Sequence, residues 1–243
     1  MAVYCISDLH LSEARPQLTA ALLRFLQQQL YPGDQLYILG DLFDVWVGDD
    51  AADSCALTVA TALRQCQQRG IATFYIHGNR DFLLRDGYAA LAGLTLLPEQ
   101  HQIDFYGTRA LLMHGDSLCT RDLAYMNFRR KARGWWWPRL VLLAPRWYRR
   151  RRAAAYRAHS QMVKQVKSLE IMDVTPDEVV RVMTESGCRW LIHGHTHRPA
   201  CHRVKLAAGD GWRLVLGEWH DSISYLRIDE RGPQLCFTPL ASG

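Results

Sequence analysis

The sequence lacks the cysteine pattern of a disulfide scaffold or a structural zinc site. Its 243 residues include seven cysteines, an odd number, and no two of them stand in a C-x-x-C spacing. Neither a disulfide framework nor a zinc knuckle is indicated. We therefore expect most of the cysteines to be small buried hydrophobic residues of one compact globular chain.

Long apolar runs are also missing. The first ten residues contain no basic leader, and Asp8 already interrupts the apolar run that they form. The tryptophan-rich segment 135–148 is strongly apolar, but prolines and arginines interrupt it, and it is shorter than the roughly 20 residues that span a bilayer. We expect neither a secretory signal nor a membrane-spanning helix, and we expect a cytoplasmic protein.

Acidic residues are almost absent from the segment 121–167. Fourteen of the 29 lysines and arginines lie in it and Asp122 is its only acid, so the rest of the chain is net acidic. Such a block predicts an anionic partner, and a membrane surface, a phosphate-bearing substrate or nucleic acid would each satisfy it. We interpret 121–167 as an inserted helical cap, basic and aromatic, on a core formed by 1–120 and 168–243.

Short apolar strands alternate with amphipathic helices along the chain. Buried strands are predicted at 2–7, 35–39, 72–76, 109–113 and 190–192, and helices at 16–30 and 56–69. Thr175 and Glu178 form a capping-box pattern at the start of a further helix, which Gly187 ends. The alternation predicts an α/β layered core. The tail is predicted to supply antiparallel strands that complete a second sheet, at 214–216, 224–228 and 234–237.

Polar side chains of the kind that bind metal ions follow each of the five predicted strands. In chain order they are Asp8 and His10, Asp41, Asn79, His114, and His195 with His197. Ligands of open α/β sheets bind at the carboxyl ends of strands, so these side chains are expected to converge. Carboxylate, amide and imidazole ligands suit Mn²⁺, Fe²⁺ or Zn²⁺, and a pair of such ions about 3.5 to 4 Å apart supports in-line phosphoryl displacement. Taken singly, each of these residues could be an ordinary loop or core residue. The five motifs together, in this order, favour a metal site.

These motifs resemble those of the calcineurin-like metallophosphoesterase family, whose pattern D-x-H, G-D, G-N-H-[DE], H and G-H-x-H is matched here in order. The resemblance implies a four-layered α/β/β/α sandwich that holds two metal ions, with manganese expected and iron or zinc also compatible. It implies that one ion is surrounded by Asp8, His10, Asp41 and His197. It implies that the other is surrounded by Asp41, Asn79, His114 and His195, with Asp41 as the bridge.

One motif departs from the family pattern, because Arg80 stands where most members have histidine. Arginine does not lose its proton near neutrality, so Arg80 is excluded as a general acid. It can instead hold a phosphate in a bidentate clamp and stabilise charge in the transition state. This G-N-R-D variant, together with the segment LFDVWVGDD at 42–50, resembles the branch of the family that hydrolyses UDP-2,3-diacylglucosamine in lipid A biosynthesis.

That closer resemblance implies a reaction and a set of substrate contacts. Water would attack the phosphorus on the uridine side of the pyrophosphate, giving 2,3-diacylglucosamine 1-phosphate and UMP. The resemblance implies that Asn79, Arg80 and His195 are catalytic, and that the substrate is bound by these three with Asp122, Ser160, Lys164 and Lys167. The last three are spaced so that one helix face presents a hydroxyl and two ammonium groups, although a solvated helix face is the alternative. We expect a monomer at the cytoplasmic face of the inner membrane.

Alternatives remain open for the cap and for the function. The cap could lie in a membrane interface, where the four arginines at 149–152 would meet anionic lipid, or it could be a helical hairpin with a packed aromatic core. The chain could instead be a nuclease or a soluble dinucleotide hydrolase that uses the basic segment as a phosphate track, although we expect no nucleic-acid partner. A peripheral membrane adaptor with a merely structural metal site is the third alternative.

Overall fold

The computed structural model describes residues 1–166 and 173–240, with the backbone alone for residues 159–161 and 163–166. Within these ranges the strands are β1 (Val3–Ile6), β2 (Gln35–Ile38), β3 (Ala72–Tyr75), β4 (Leu94–Leu96), β5 (Gln100–Phe105), β6 (Thr108–Met113), β7 (Trp190–His193), β8 (Ala200–Leu206), β9 (Gly209–Val215), β10 (Ser222–Asp229) and β11 (Gly232–Pro239). The helices are α1 (Pro16–Gln28), α2 (Ser54–Gln68), α3 (Asp86–Ala92), α4 (Leu123–Ala132), α5 (Trp137–Leu143), α6 (Arg146–Val166) and α7 (Pro176–Ser186).

The strands form two mixed sheets. The first has the order β11-β10-β1-β2-β3-β4, in which β1 to β4 are parallel and β10 runs antiparallel to β1. The second has the order β5-β6-β7-β9-β8, in which β6, β7 and β9 are parallel and the edge strands are antiparallel. The carboxyl ends of β1, β2 and β3 in one sheet and of β6 and β7 in the other carry the polar motifs.

Three hydrophobic clusters define the layers. Cys5, Leu39, Leu112 and Ile192 belong to a cluster of buried side chains shared by the two sheets. A larger cluster packs α1, α2 and α3 against the first sheet, and a third packs α7 against the second. Burial of each large apolar side chain contributes about 1.5 to 3 kcal/mol, so these interfaces fix the order of the layers. The predicted four-layered α/β/β/α sandwich is confirmed.

The prediction for the tail was wrong about which sheet it completes. Segments 224–228 and 234–237 lie in β10 and β11, which extend the first sheet, while 214–215 lies in β9 of the second sheet, parallel to β7. Strand β10 is buried on both faces, because Tyr225 packs on the helical side and Leu226 packs between the sheets. A strand buried on both faces shows no alternation that would identify its partner.

The capping box at the start of α7 does not form. Thr175 is the N-cap residue, but its side chain makes no capping bond, and its hydroxyl accepts a hydrogen bond from Thr120 at 2.8 Å. Glu178 instead pairs with Arg181, with Oε1 of the glutamate 2.6 Å from Nη2 of the arginine. The hydroxyl of Thr120 and the guanidinium of Arg181 have replaced the two bonds of the capping box, while Gly187 ends the helix as predicted.

Helices α4, α5 and α6 follow one another between β6 and β7 and form the helical segment 123–166. None of the helices in the described ranges combines the length and apolar character needed to cross a membrane. Arg149 corrects the expectation that all four arginines at 149–152 face lipid, because it is only 5% exposed. Its Nη1 lies 2.9 Å from Oδ1 of Asp50 and also donates to the carbonyl of Val47, so it ties α6 to the loop after β2.

Candidate metal centre

The candidate ligands lie on five loops that hydrogen bonds hold side by side. Backbone N–H of Asp8 donates to the carbonyl of Gly40 at 3.1 Å, and that of His10 donates to the carbonyl of Asp41 at 3.0 Å. In the second sheet, backbone N–H of Gly194 donates to the carbonyl of His114 at 2.9 Å. The loops after β1 and β2, and those after β6 and β7, are therefore joined pairwise at the carboxyl edge of each sheet.

Backbone strain concentrates at these loops. Six non-glycine residues of the described chain have a positive φ, and five of them are Asp8, His10, Asp41, His195 and His197, with φ between 50° and 67°. Left-handed conformations of this kind are unfavourable for residues with a side chain and cluster at functional sites. Five of the seven predicted ligands thus occupy a conformation that packing alone would not select.

Asp8, His10 and His197 form one group. Nε2 of His197 lies 3.3 Å from Oδ1 of Asp8 and 3.5 Å from Nε2 of His10. Oδ2 of Asp8 accepts hydrogen bonds from the Ser7 hydroxyl at 2.6 Å and from the backbone N–H of His195 at 2.9 Å, which fixes the carboxylate. Among the described residues, Nδ1 of His10 is buried and finds no hydrogen-bond partner, and Oδ1 of Asp8 is buried with only the His197 imidazole beside it. A cation would satisfy these buried atoms.

Asn79, His114 and His195 form a second group. Oδ1 of Asn79 lies 2.9 Å from Nε2 of His114 and 2.9 Å from Nδ1 of His195. Nδ1 of His114 donates to the carbonyl of Leu39 at 2.8 Å, because a carbonyl oxygen only accepts. A neutral His114 therefore turns the lone pair of Nε2 toward the oxygen of Asn79. Either a proton or a cation has to lie between these atoms.

Asp41 lies between the two groups. Its Oδ2 is 3.9 Å from Nδ1 of His10, and its Oδ1 is 3.8 Å from Nε2 of His114. Burial raises the pKa of Asp41 to about 7, with the charge of His114 opposing this shift and the carboxylate of Asp81 adding to it. A neighbouring cation relieves the cost of such a buried carboxylate.

The separations and the donor types fit a pair of divalent cations. Ligand atoms of Asp8, His10 and His197 lie within 4.8 Å of one another, as do those of Asp8, Asp41 and His114. Two ligand atoms each about 2.1 Å from one cation lie about 3 to 3.5 Å apart at tetrahedral or octahedral angles. Carboxylate, amide and imidazole donors without a thiolate suit manganese, iron or zinc.

Two of the imidazoles are held in the neutral form that metal binding requires. Burial, together with the charge of His114, lowers the pKa of His195 to about 3. Burial and then the nearby guanidinium of Arg80 lower the pKa of His10 well below its ordinary value. Both rings are therefore neutral near pH 7 and present a lone pair without first releasing a proton.

Glu218 is a site residue that the sequence patterns missed. Its Oε2 lies 2.9 Å from Nδ1 of His197, so a neutral His197 would keep its one proton on Nδ1 and turn the lone pair of Nε2 toward Asp8. Burial lowers the pKa of His197, but the carboxylates of Asp8 and Glu218 outweigh it and raise the value to about 9. Histidine ligands of metal ions commonly donate their second N–H to a carboxylate in this way. Glu218 follows β9 without any motif around it, so only the fold reveals its role.

Asp81 is the last residue of the G-N-R-D motif, but the sequence patterns assigned it no role. Its carboxylate is fully buried and accepts the backbone N–H groups of Leu42 at 2.7 Å and Gly78 at 2.9 Å. It therefore joins the loop after β2 to the loop after β3. Because those loops carry Asp41 and Asn79, Asp81 sets the distance between two of the candidate ligands.

Three arginines surround Asp44 at the edge of the centre. Nη1 of Arg80 lies 2.6 Å from Oδ1 of Asp44, Nη2 of Arg157 lies 2.8 Å from the same oxygen, and Nη2 of Arg15 lies 3.5 Å from it. Nε of Arg80 is also 3.5 Å from Oδ2 of Asp41. Three guanidinium groups around one carboxylate leave an excess of positive charge, which favours an anionic ligand.

The predicted substrate contacts of the helical segment are only partly described. Asp122 is the N-cap of α4, where its Oδ1 accepts the backbone N–H of Tyr125 at 3.1 Å. The ring of Tyr125 stacks beside His195 with centroids 6.2 Å apart, so the first turn of α4 lies next to the centre. Ser160 and Lys164 lie one turn apart in α6, but their side chains fall outside the described residues, as does all of Lys167.

Two glycines permit the close approach of the loops. A Cβ on Gly78 would collide with the backbone and carboxylate of Asp41, and a Cβ on Gly194 would collide with Ser7 and Asp8. Any side chain at either position would push two ligand-bearing loops apart. The glycines of the G-N and G-H motifs are therefore required by packing between loops.

A family model confirms the relationship that these motifs predict. The model described as calcineurin-like phosphoesterase matches residues 1–199. The chain belongs to the calcineurin-like phosphoesterase family. Members of this metallophosphoesterase family bind divalent metal ions, in agreement with the clusters of aspartate and histidine at this site.

Two relatives show which branch of the family this chain resembles. A protein of Cellvibrio japonicus named UDP-2,3-diacylglucosamine hydrolase is 52% identical over 215 residues, which are 88% of this chain and 90% of that protein. A protein of the same name from Klebsiella pneumoniae is 44% identical over 239 residues, which are 98% of this chain and 100% of that protein. The resemblance to this branch of the family is confirmed. A solved archaeal phosphodiesterase shares the fold, with a TM-score of 0.50 at 10% identity over 98% of this chain and 100% of that one.

Proposed function

We propose that this protein hydrolyses the pyrophosphate of UDP-2,3-diacylglucosamine to 2,3-diacylglucosamine 1-phosphate and UMP. The observation that carries the proposal is the convergence of seven ligand-type side chains, five of them in a strained backbone conformation, beside the Arg80 guanidinium. The names of relatives at 44% to 52% identity support this substrate.

We propose that the centre holds two Mn²⁺ ions. Asp8, His10, Asp41 and His197 would hold one ion, and Asp41, Asn79, His114 and His195 the other. Such a pair of cations supplies Lewis acidity toward a phosphate and makes water a nucleophile at neutral pH. The protein itself contributes the orientation of the ligands: Glu218 and the carbonyl of Leu39 fix two imidazoles, and Asp81 fixes the Asp41 and Asn79 loops.

Arg80 would bind the non-bridging oxygens of the reacting phosphate. Its guanidinium is 25% exposed and already lies within 3.5 Å of Asp41, so a phosphate at the metal pair would be within its reach. Arginine stays protonated and donates in a planar fork, which matches two phosphate oxygens. Asn79 and His195 would contact the same phosphate, while Asp122, Ser160, Lys164 and Lys167 would contact other parts of the substrate.

Turnover of three substrates tests the proposed function. Protein loaded with Mn²⁺ is expected to release UMP from UDP-2,3-diacylglucosamine, to act far more slowly on the soluble UDP-N-acetylglucosamine, and to leave single-stranded DNA intact. In water enriched in oxygen-18 the label is expected in UMP, because attack occurs at the phosphorus on the uridine side. Cleavage of DNA or of the soluble sugar nucleotide at a comparable rate, with the lipid substrate intact, would exclude the proposal.

We also propose that the helical segment places the protein on the cytoplasmic face of the inner membrane as a monomer. Exposed apolar side chains cluster along the segment at Trp135, Trp136, Leu140, Leu143 and Trp147, which we call the aromatic patch. Arg146 flanks it and is 64% exposed. Tryptophan prefers the headgroup level and basic residues attract anionic lipid, so this composition favours an interfacial position.

Sedimentation with vesicles tests the membrane proposal. Replacing Trp135, Leu143 and Trp147 together by serine is expected to lower binding to phosphatidylglycerol vesicles by about tenfold or more, because each side chain loses burial worth about 1.5 to 3 kcal/mol. The matched control replaces Leu57 and Leu91, which are 49% and 48% exposed outside the helical segment, and should bind as the wild type does. Equal binding by the triple variant and the wild type would contradict the proposal.

A further inference from the structure

The C-terminal end of α4 reaches the backbone that precedes Asn79. Nη2 of Arg133, the C-cap residue of α4, donates to the carbonyl of Gly78 at 2.8 Å and to the carbonyl of His77 at 3.2 Å. These carbonyls belong to the two successive peptide groups directly before Asn79. A single guanidinium therefore fixes the orientation of both peptide planes on one side of a candidate metal ligand.

Arg133 is itself held in place from two directions. Its Nη1 lies 2.7 Å from Oε1 of Glu99, and its Nη2 lies 3.5 Å from Oδ2 of Asp116. Arg129, one turn earlier on α4, contacts the same two carboxylates, with Nε 2.8 Å from Oδ2 of Asp116 and Nη2 2.8 Å from Oε2 of Glu99. The Arg133 side chain is 12% exposed, so solvent offers it few alternative positions.

The same network reaches His195 on the other side of Asn79. The hydroxyl of Tyr125 donates to Oδ2 of Asp116 at 2.6 Å, and the Tyr125 ring stacks beside the imidazole of His195. Asp116 is 2% exposed, and the flanking guanidinium groups satisfy its charge. Helix α4 thus contacts both the loop that carries Asn79 and the ring of His195. These two residues also contact each other, with Oδ1 of Asn79 2.9 Å from Nδ1 of His195.

We propose that Arg133 is a positioning residue for Asn79, and that docking of α4 through Arg133 sets the half of the metal centre formed by Asn79, His114 and His195. This inference rests on the proposed pair of metal ions. The other half, formed by Asp8, His10 and His197, has no contact of this kind with α4 among the described residues. Loss of Arg133 should therefore affect the two ions unequally.

Titration of metal-free full-length protein with Mn²⁺, followed by the paramagnetic resonance signal of free Mn²⁺, tests the inference without any substrate. In Arg133→Ala one of two ions is expected to bind about 10- to 100-fold more weakly, the range seen when a residue that orients a metal ligand is removed, while the other is unchanged. Arg133→Lys keeps the charge but cannot bridge both carbonyls and Glu99. The same ion should therefore also bind more weakly in Arg133→Lys than in the wild type.

Arg130→Ala is the matched control. Arg130 lies on the same helix, and its guanidinium contacts Asn127 on α4 at 2.6 Å. Its removal changes the net charge by the same amount as removal of Arg133, so both ions should bind as in the wild type. Equal weakening of both ions in Arg133→Ala, or unchanged binding of both in Arg133→Ala and Arg133→Lys, would overturn the inference.

A double-mutant cycle with Asn79→Ala identifies the route of the effect. If Arg133 acts through Asn79, adding Arg133→Ala to Asn79→Ala should weaken Mn²⁺ binding by much less than it does in the wild type. Full additivity of the two effects would contradict a positioning role. A wild type that binds fewer than two ions would end the proposed function and this inference together, whereas normal wild-type binding with unaffected variants would end the inference alone.

Discussion

Replacing Asp41 by alanine is expected to lower kcat for UDP-2,3-diacylglucosamine by about 10³-fold or more, since metal ions contribute several kcal/mol to phosphoryl transfer. Asp41 is the carboxylate whose two oxygens face His10 on one side and His114 on the other. Its loss should remove the shared ligand of both ions, so equilibrium dialysis should find fewer than two Mn²⁺ per chain. Steady-state release of UMP at saturating Mn²⁺ measures the change in kcat.

Asp221→Ala is the control for Asp41→Ala, because the Asp221 side chain is 96% exposed and pairs with His220, which is not a candidate ligand. It should retain both ions and the turnover of the wild type. Undiminished release of UMP by Asp41→Ala would rule out a catalytic metal pair at this position.

Replacing Arg80 by alanine is expected to lower kcat by about 10² to 10³-fold, the effect of removing one donor aimed at charge that develops in the transition state. Binding of two Mn²⁺ ions should persist, because Arg80 is cationic and supplies no metal ligand. Arg80→Lys should recover little of the loss, since an ammonium group cannot form the planar two-point contact of a guanidinium. Stopped assays of UMP release and a parallel Mn²⁺ titration measure the two quantities.

Arg85→Ala provides the comparison for Arg80→Ala. Arg85 lies further along the loop after β3 and is exposed. Its removal deletes the same charge and should leave kcat within a factor of about two, as is usual for surface substitutions. A fall in Mn²⁺ stoichiometry in Arg80→Ala would show that the guanidinium supports the metal centre itself, contrary to its proposed contact with phosphate.

The core of the site was predictable because each candidate ligand lies within four residues of the end of a strand. The strands before Asp8, Asp41 and His114 are short, apolar and bounded by turn residues, and the carboxyl ends of parallel strands meet at one edge. Local pattern and general topology together therefore predicted that these side chains converge, as they do in the structure. The same reasoning could not reach Glu218, because its contact with His197 depends on how β9 leaves the second sheet.

Contacts between distant segments account for the remaining differences. The segment with four arginines at 149–152 suggested a uniformly basic surface, but Arg149 is buried against Asp50 and Val47 from the loop after β2. Thr175 and Glu178 matched a capping box, but the Thr175 hydroxyl accepts a hydrogen bond from Thr120 and makes no capping bond. The pairing of β10 with β1 could not be predicted either. A strand buried on both faces lacks the alternation of apolar and polar residues that would indicate its position in the sheet.

The positive φ angles at Asp8, His10, Asp41, His195 and His197 set stability against activity at the same five positions. Glycine is the residue that would relax each backbone, by about 1 to 2 kcal/mol, yet glycine would delete the atom that reaches into the centre. A selection for stability alone would therefore favour glycine at these positions and remove the side chains on which the proposed activity depends. The sequence found here is the solution that retains the strain, as expected where activity and fold stability impose opposing demands.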